Sequence, residues 1–373
     1  MESAIVGLPY VGKTTLFNLL TGGHAATGGF AGAEGGVNVG VAKVPDERVD
    51  RLAALFHPKK TTHAEVRYVD VGLARSAGGA TPHGVRGDGV SAQKLGELRA
   101  AEALVHVVRA FRDPAVPHVD GEVDPARDAA ALDLELLVAD LSVAERRLER
   151  LGPELRAART GEREAKERES ALLERVRTAL GAGTPVRDLG LDADEQKLLR
   201  GYRLLSEKPE LVVVNLDEAD LGRAEPILAG VGAALAARQG TAVTAVCAKI
   251  EAEIAELAPD DAAAFRRELG LREPPLERIA RETYALLGLR SFFTVGPDEV
   301  RAWTIPGGTT AQQAAGVIHS DLARGFIRAE VIQWDELLRV GSEAEAKRQG
   351  LVRTEGKDYH MREGDVAHVL FSV

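Results

Sequence analysis

Residues 3–18, Ser-Ala-Ile-Val-Gly-Leu-Pro-Tyr-Val-Gly-Lys-Thr-Thr-Leu-Phe-Asn, constrain this chain more than any other stretch. Ala4, Ile5 and Val6 form a short apolar run that reads as a buried strand. Gly7 and Gly12 then bracket four residues, and Lys13-Thr14 follow at the spacing of a phosphate-binding loop. Glycines let the backbone curl so that successive N–H groups point at one anion, and a side chain at either place would block that approach. Thr14 opens a helix whose N-terminal dipole faces the same point. Lys13 is the point charge for the β- and γ-phosphates, and the Thr14 hydroxyl suits Mg²⁺. The backbone from Tyr10 through Val11, Gly12, Lys13, Thr14 and Thr15 is therefore expected to cradle a nucleoside triphosphate. The competing reading, a chance glycine turn, does not account for all four fixed residues between a strand and a helix. Such a unit belongs in an α/β fold with a doubly wound, mostly parallel sheet.

The chain has 373 residues, enough for two or three domains with cores of their own. Its net charge is −10, so binding to nucleic acid or a ribosome would need a local basic face. The single cysteine, Cys247, rules out an intrachain disulfide and fits a reducing compartment. No charged-then-apolar leader stands before the first strand, and no apolar run nears membrane-spanning length, which predicts a cytoplasmic chain without a membrane partner.

Residues 21–40 and 72–89 are glycine-rich and lack period, so both read as loops. Strands are expected at Val39 to Val44, at Glu65 to Val71 and at Leu104 to Val108, with a helix after Pro45-Asp46. From Asp133 to Leu180 the pattern changes. Leu134, Leu137, Leu141, Ala144, Leu148, Leu151 and Leu155 recur in three- and four-residue steps, as in a heptad stripe. Gly152-Pro153 and Thr160-Gly161 interrupt it, which predicts an antiparallel helical hairpin, whether as a partner-binding arm or only a solvated pair. Strands resume at 211–214 and 242–246. Residues 1–132 and 206–288 thus form one nucleotide-binding domain with residues 133–205 inserted as the hairpin. Residues 289–373 make a small β-rich domain with one main helix, near Thr310 to Ala323.

Asp70 ends its strand where ligands sit in a parallel sheet, placed to hold a water on Mg²⁺. Asn215-Leu216-Asp217-Glu218 ends the strand that presents a base-reading loop. GTPases carry Asn-Lys-x-Asp there, and the Asp fits the two donors of guanine. Leu216 and the longer Glu218 spoil that match, and a site without its polar pair loses discrimination steeply, so adenine is favoured. Cys247-Ala248-Lys249 would close over the base.

With these residues the sequence resembles the YchF / Obg-like ATPase family. The shared residues are Gly-Leu-Pro-x-Val-Gly-Lys-x-Thr at 7–15, Asn215 to Glu218, and Cys247-Ala248 followed by Glu251 to Leu257. The tail matches most densely, at Glu299 to Pro306, Gln313 to Gly316, Gly325 to Val331, Glu355 to Tyr359 and Gly364-Asp365. The resemblance implies Mg²⁺-dependent ATP hydrolysis, ATP over GTP, and a C-terminal β-grasp domain of the TGS type. It further implies association with the ribosome, with the hairpin or the TGS domain as the parts facing rRNA. It also marks His106, in His-Val-Val-Arg, as a catalytic candidate that orients water, although a lone histidine on an apolar strand equally fits a satisfied core residue.

Three departures from the family stand out. The family pattern Asp-x-x-Gly is here Asp70-Val71-Gly72-Leu73, with the glycine one residue early. The Mg²⁺-binding threonine of the first switch falls on Ala33 or Glu34, with Thr27 out of register. Extra residues also surround Ala74 to His83, before Arg86-Gly-Asp-Gly89. Three readings stay open: a slow ATPase, a nucleotide-dependent binding module with little hydrolysis, and a GTPase.

Overall fold

The computed structural model describes residues 2–23, 25, 38–72, 92–116, 118, 121–235, 238–271 and 273–372. The expectations placed on Thr27, Ala33, Glu34, Ala74 to His83 and Arg86 to Gly89 lie outside the described residues. In chain order the strands are β1 (Glu2–Val6), β2 (Asn38–Lys43), β3 (Lys60–Thr62), β4 (Glu65–Asp70), β5 (Ala103–Arg109), β6 (Glu210–Asn215), β7 (Thr241–Val246), β8 (Leu289–Thr294), β9 (Glu299–Pro306), β10 (Phe326–Gln333), β11 (Arg353–Glu355) and β12 (Asp365–Phe371). The helices used below are α1 (Lys13–Thr21), α2 (Glu47–Phe56), α3 (Ala92–Ala100), α4 (Pro125–Ala157), α5 (Thr160–Gly181), α6 (Ala193–Leu199), α7 (Ala224–Ala234), α8 (Ala248–Ala255), α9 (Pro259–Glu268), α10 (Pro275–Leu286) and α11 (Ala311–Ile318).

Internal contacts divide the chain into two units, residues 1–40 with 67–279, and residues 41–66 with 280–373. The first unit is built on the sheet of order β2-β4-β1-β5-β6-β7. β1 pairs in parallel with β4 and β5, β5 with β6, and β6 with β7. β5 and β6 are buried along their whole length, as strands covered by helices on both faces must be. The parallel registers bring Val6, Asp70, Arg109, Asn215 and Val246 to one edge. This is the α/β, doubly wound architecture that the phosphate-loop spacing implies.

α4 differs from expectation. It starts earlier, capped by Asp124 with Pro125 in its first turn, and it runs through Gly152-Pro153 to Ala157 without a break. Pro153 forgoes the N–H bond to the Glu149 carbonyl, and α4 continues past it with Leu148 and Leu151 packed against α5. Thr160-Gly161 begins α5 rather than ending a helix. The first half of α4 packs on the sheet through Leu132 and Leu136, beside Ala4, Val69 and Leu104. The stripe therefore turns, and Leu134, its first expected member, is 56% exposed. Leu137, Ala144 and Leu151 do face Leu172, Leu173, Val176 and Leu180 of α5. Arg147 clasps the pair, its Nε 2.8 Å from Glu169 Oε1 and its Nη1 2.8 Å from Glu154 Oε1.

In the second unit the order is β11-β10-β12-β8-β9-β3. β8 and β9 form an antiparallel hairpin, α11 follows, and β12 returns parallel to β8 and antiparallel to β10. Two central parallel strands with one helix packed on the sheet make a β-grasp. The single helix expected at 310–323 is two, because His319 adopts an extended conformation and caps a second helix, Ser320–Arg324. Residues 41–66 group with this unit rather than with the nucleotide-binding residues. The reasons are local: β3 pairs with β9, Arg48 stacks over Phe293 at 5.1 Å, and Arg48 Nη1 lies 2.6 Å from Glu363 Oε1.

Candidate active site at the carboxyl edge of the parallel sheet

The phosphate-binding loop joins β1 to α1 across residues 7–12. Gly7 has φ 150°, and a Cβ there would run into the Val107 carbonyl of β5. Gly12, ahead of α1, has φ 96°, and a Cβ would meet Asn215 Nδ2 at 2.5 Å. Both glycines are thus dictated by backbone conformation and by close approach. Tyr10 is left-handed at φ 64° without being glycine, and its ring is 50% exposed.

Lys13 is buried, and its Nζ donates to Gly7 O at 3.0 Å and Leu8 O at 2.7 Å. Burial pushes the Lys13 ammonium down to about 8; the Asp70 carboxylate opposes the fall and the Lys94 ammonium adds to it. Thr14 Oγ1 donates to Asp70 Oδ2 at 2.8 Å. β1 and β4 pair Ile5 with Asp70, so the two strands deliver the hydroxyl and the carboxylate to one point. Lys13 and Thr14, singled out from spacing, and Asp70, singled out from its strand end, are brought together.

At the next strand end, Asn215 is buried, and both of its side-chain groups are used within the protein. Nδ2 donates to Val11 O at 3.0 Å, and Oδ1 accepts from the Ala248 N–H at 3.0 Å. It staples the loop to the start of α8. Only a base contact is expected of Asn215 from the sequence, because a partner 204 residues away leaves no local signal. Glu218 is exposed at the turn after β6, while Asp217 caps that turn by accepting from the Ala219 N–H. Leu216 departs from expectation: its side chain packs in the core with Val108, Val212 and Val231, so it does not line a base site. Cys247 likewise packs with Ile250 and Ile254. Thr15 follows Thr14 in the first turn of α1, and Val11 is buried beneath the loop.

His106 is not brought to the loop. It is in register with Val6, one residue short of Gly7, but its ring turns away. Nδ1 lies 3.0 Å from Glu210 Oε1, at the start of β6, and Glu210 Oε2 is 2.9 Å from Arg187 Nη2. His106 and the Arg187 guanidinium hold the Glu210 carboxyl below its ordinary range against the cost of burial. The expected water-orienting role of His106 is therefore corrected to that of a satisfied core residue. Its partner is 104 residues on, at the opposite end of the sheet.

The donors present fit a hard divalent cation held jointly with a phosphate. Asp70 Oδ1 is buried without a hydrogen-bond partner among the described residues, and the Thr14 hydroxyl is its neighbour. No cluster of three or more His, Cys, Asp or Glu is arranged to hold a metal among the described residues. No helix among the described residues is long and apolar enough to cross a membrane.

A family model labelled YchF-GTPase_C and described as "Protein of unknown function (DUF933)" matches residues 289–372. Over its full length the chain is 42% identical to a protein of Haemophilus ducreyi called "Ribosome-binding ATPase YchF", covering 99% of that protein. It is 39% identical to the Bacillus subtilis protein of the same name, with all of both chains covered. The solved Schizosaccharomyces pombe structure described as a "YchF GTPase" superposes with a TM-score of 0.84 at 32% identity, covering 99% of this chain and 97% of that one.

Proposed function

The chain belongs to the YchF family, and from that premise we propose that it is a slow, Mg²⁺-dependent ATPase that works with the ribosome in the cytoplasm. The observation that carries the reading is the convergence of buried Lys13 with the Thr14–Asp70 pair at the first turn of α1. In this reading the N–H groups of residues 10–15 and the α1 dipole hold the β-phosphate, and Lys13 leaves its two carbonyl partners for the β- and γ-oxygens. Thr14 and Asp70 would hold Mg²⁺, which when bound would neutralise charge on those two phosphates. A water oxygen bonds to the γ-phosphorus while the bond to the bridging oxygen breaks. ADP leaves with that bridging oxygen, and the water's proton ends on the product phosphate. Asn215 keeps the loop in shape by holding Val11 O.

Base choice rests on Glu218, the exposed carboxylate at the turn after β6, and on the loss of the usual lysine to a core leucine at Leu216. The printed names of the relatives divide on this point, ATPase for the bacterial proteins and GTPase for the yeast one. Calorimetric titration with non-hydrolysable ATP and GTP analogues tests it. ATP is expected to bind at least about tenfold tighter, a difference of about 1.4 kcal/mol, and the reverse order would overturn the adenine assignment.

The Asp70-Val71-Gly72 spacing favours a second reading, a nucleotide-dependent module that binds without turning ATP over. In either reading the α4–α5 hairpin and the β-grasp unit, which we assign to the TGS type, are the surfaces offered to rRNA.

A further inference from the structure

From the backbone of the phosphate loop we infer that the Tyr10 side chain binds the nucleotide, its phenol donating to the polyphosphate chain, a role that rests on the site reading above. Among the described residues three that are not glycine have positive φ: Tyr10 at 64°, His57 at 46° and Arg203 at 50°. Two of them have an ordinary cause. His57 caps the C-terminus of α2, and Arg203 ends the short helical turn Arg200–Tyr202, where a left-handed residue releases the chain from a helix. Tyr10 ends no helix. It stands in the loop between β1 and α1, where its Cβ makes this conformation unfavourable and glycine would adopt it freely.

Packing does not explain the tyrosine either. Leu8 and Val11 of the same loop are buried, while the Tyr10 ring is half-exposed and its hydroxyl has no hydrogen-bond partner among the described residues. A left-handed backbone and an exposed ring at one position mark a residue that serves a ligand and not the fold. The surroundings say which part of the ligand that is. Lys13 is buried, with its Nζ on the carbonyls of Gly7 and Leu8, so its charge meets the anion from the protein side of the loop. Across residues 7–12, Gly-Leu-Pro-Tyr-Val-Gly, Tyr10 has the one side chain that can donate a hydrogen bond, and it stands on the solvent side. The base is read elsewhere, at the turn after β6, which leaves phosphate oxygens as the acceptors for residue 10. A hydrogen bond to such a charged acceptor is about twice as strong as one between neutral groups.

The test is calorimetric binding of a non-hydrolysable ATP analogue and of inorganic tripolyphosphate, both with Mg²⁺, to the full-length protein, to Tyr10→Phe and to Tyr10→Gly. Tyr10→Phe removes one oxygen from an exposed ring. It is expected to lose about fivefold or more for both ligands alike, since tripolyphosphate has neither sugar nor base. Tyr10→Gly is expected to lose at least as much while melting no lower than wild type, because glycine relaxes the left-handed backbone. Affinities kept by Tyr10→Phe overturn the role, and joined to a lower melting temperature for Tyr10→Gly they would make the ring a support of the loop. A loss confined to the nucleotide would put the ring against sugar or base and overturns it as well. Wild-type protein that binds neither ligand would sink the site reading and this role with it.

Discussion

At the scale of single residues, Lys13 carries the clearest consequence. A polyphosphate favours its charged form, whereas burial has lowered its pKa to about 8 in the protein without nucleotide. Below that pH the ammonium is already charged, and above it binding must take up a proton. Affinity for MgATP should therefore be flat below about pH 8 and fall by up to about tenfold per pH unit above it. Titrations across that range check this; affinity that rises with pH would contradict the buried-ammonium account. The same shift has the opposite sense for folding. Between about 8 and 10.5 the unfolded chain holds the Lys13 proton and the folded chain does not, so stability from this group rises with pH. Lys13, Thr14 and Asp70 were legible because fixed spacing and a strand end determine where they go. The Asn215 staple and the His106–Glu210 pair were not. Each depends on a partner that only the sheet order brings near.

At the scale of elements, the buried strands were legible because coverage on both faces demands unbroken apolar runs, as Leu211 to Val214 show. β3 was missed, because Lys60-Thr61-Thr62 has no apolar signal and forms only by pairing with β9. The course of α4 was misjudged because proline rules weigh the one bond that Pro153 forgoes, and not the support that α5 gives the helix past it. Arg147 supplies part of that support. Arg147→Ala should loosen the hairpin by about 1 kcal/mol, since the clasp is half-exposed and solvent weakens it. Hydrogen exchange should then quicken along α5 and the second half of α4, with ATP affinity unchanged. Exchange identical to wild type would show that the clasp holds nothing.

At the scale of the whole molecule, the order of strands and helices carries one nucleotide-binding unit interrupted by a hairpin and one β-grasp unit. The tail residues Glu299 to Pro306 and Gly325 to Val331 made the second unit recognisable as strands β9 and β10. The grouping of residues 41–66 with it was hidden, because nothing in that segment's own pattern names its partner strand. Full-length likeness to ribosome-binding ATPases and an intact Lys13–Thr14–Asp70 convergence both bear on whether this chain turns ATP over. The direct test is steady-state ATP hydrolysis by wild type and Lys13→Ala, each with and without ribosomes and with Mg²⁺ throughout. Wild type is expected to exceed the variant by on the order of 100-fold, the scale of losing one preorganised charge at the reacting group, and to do so more strongly with ribosomes. A wild-type rate no higher than that of Lys13→Ala in both conditions would contradict the ATPase and leave the binding module.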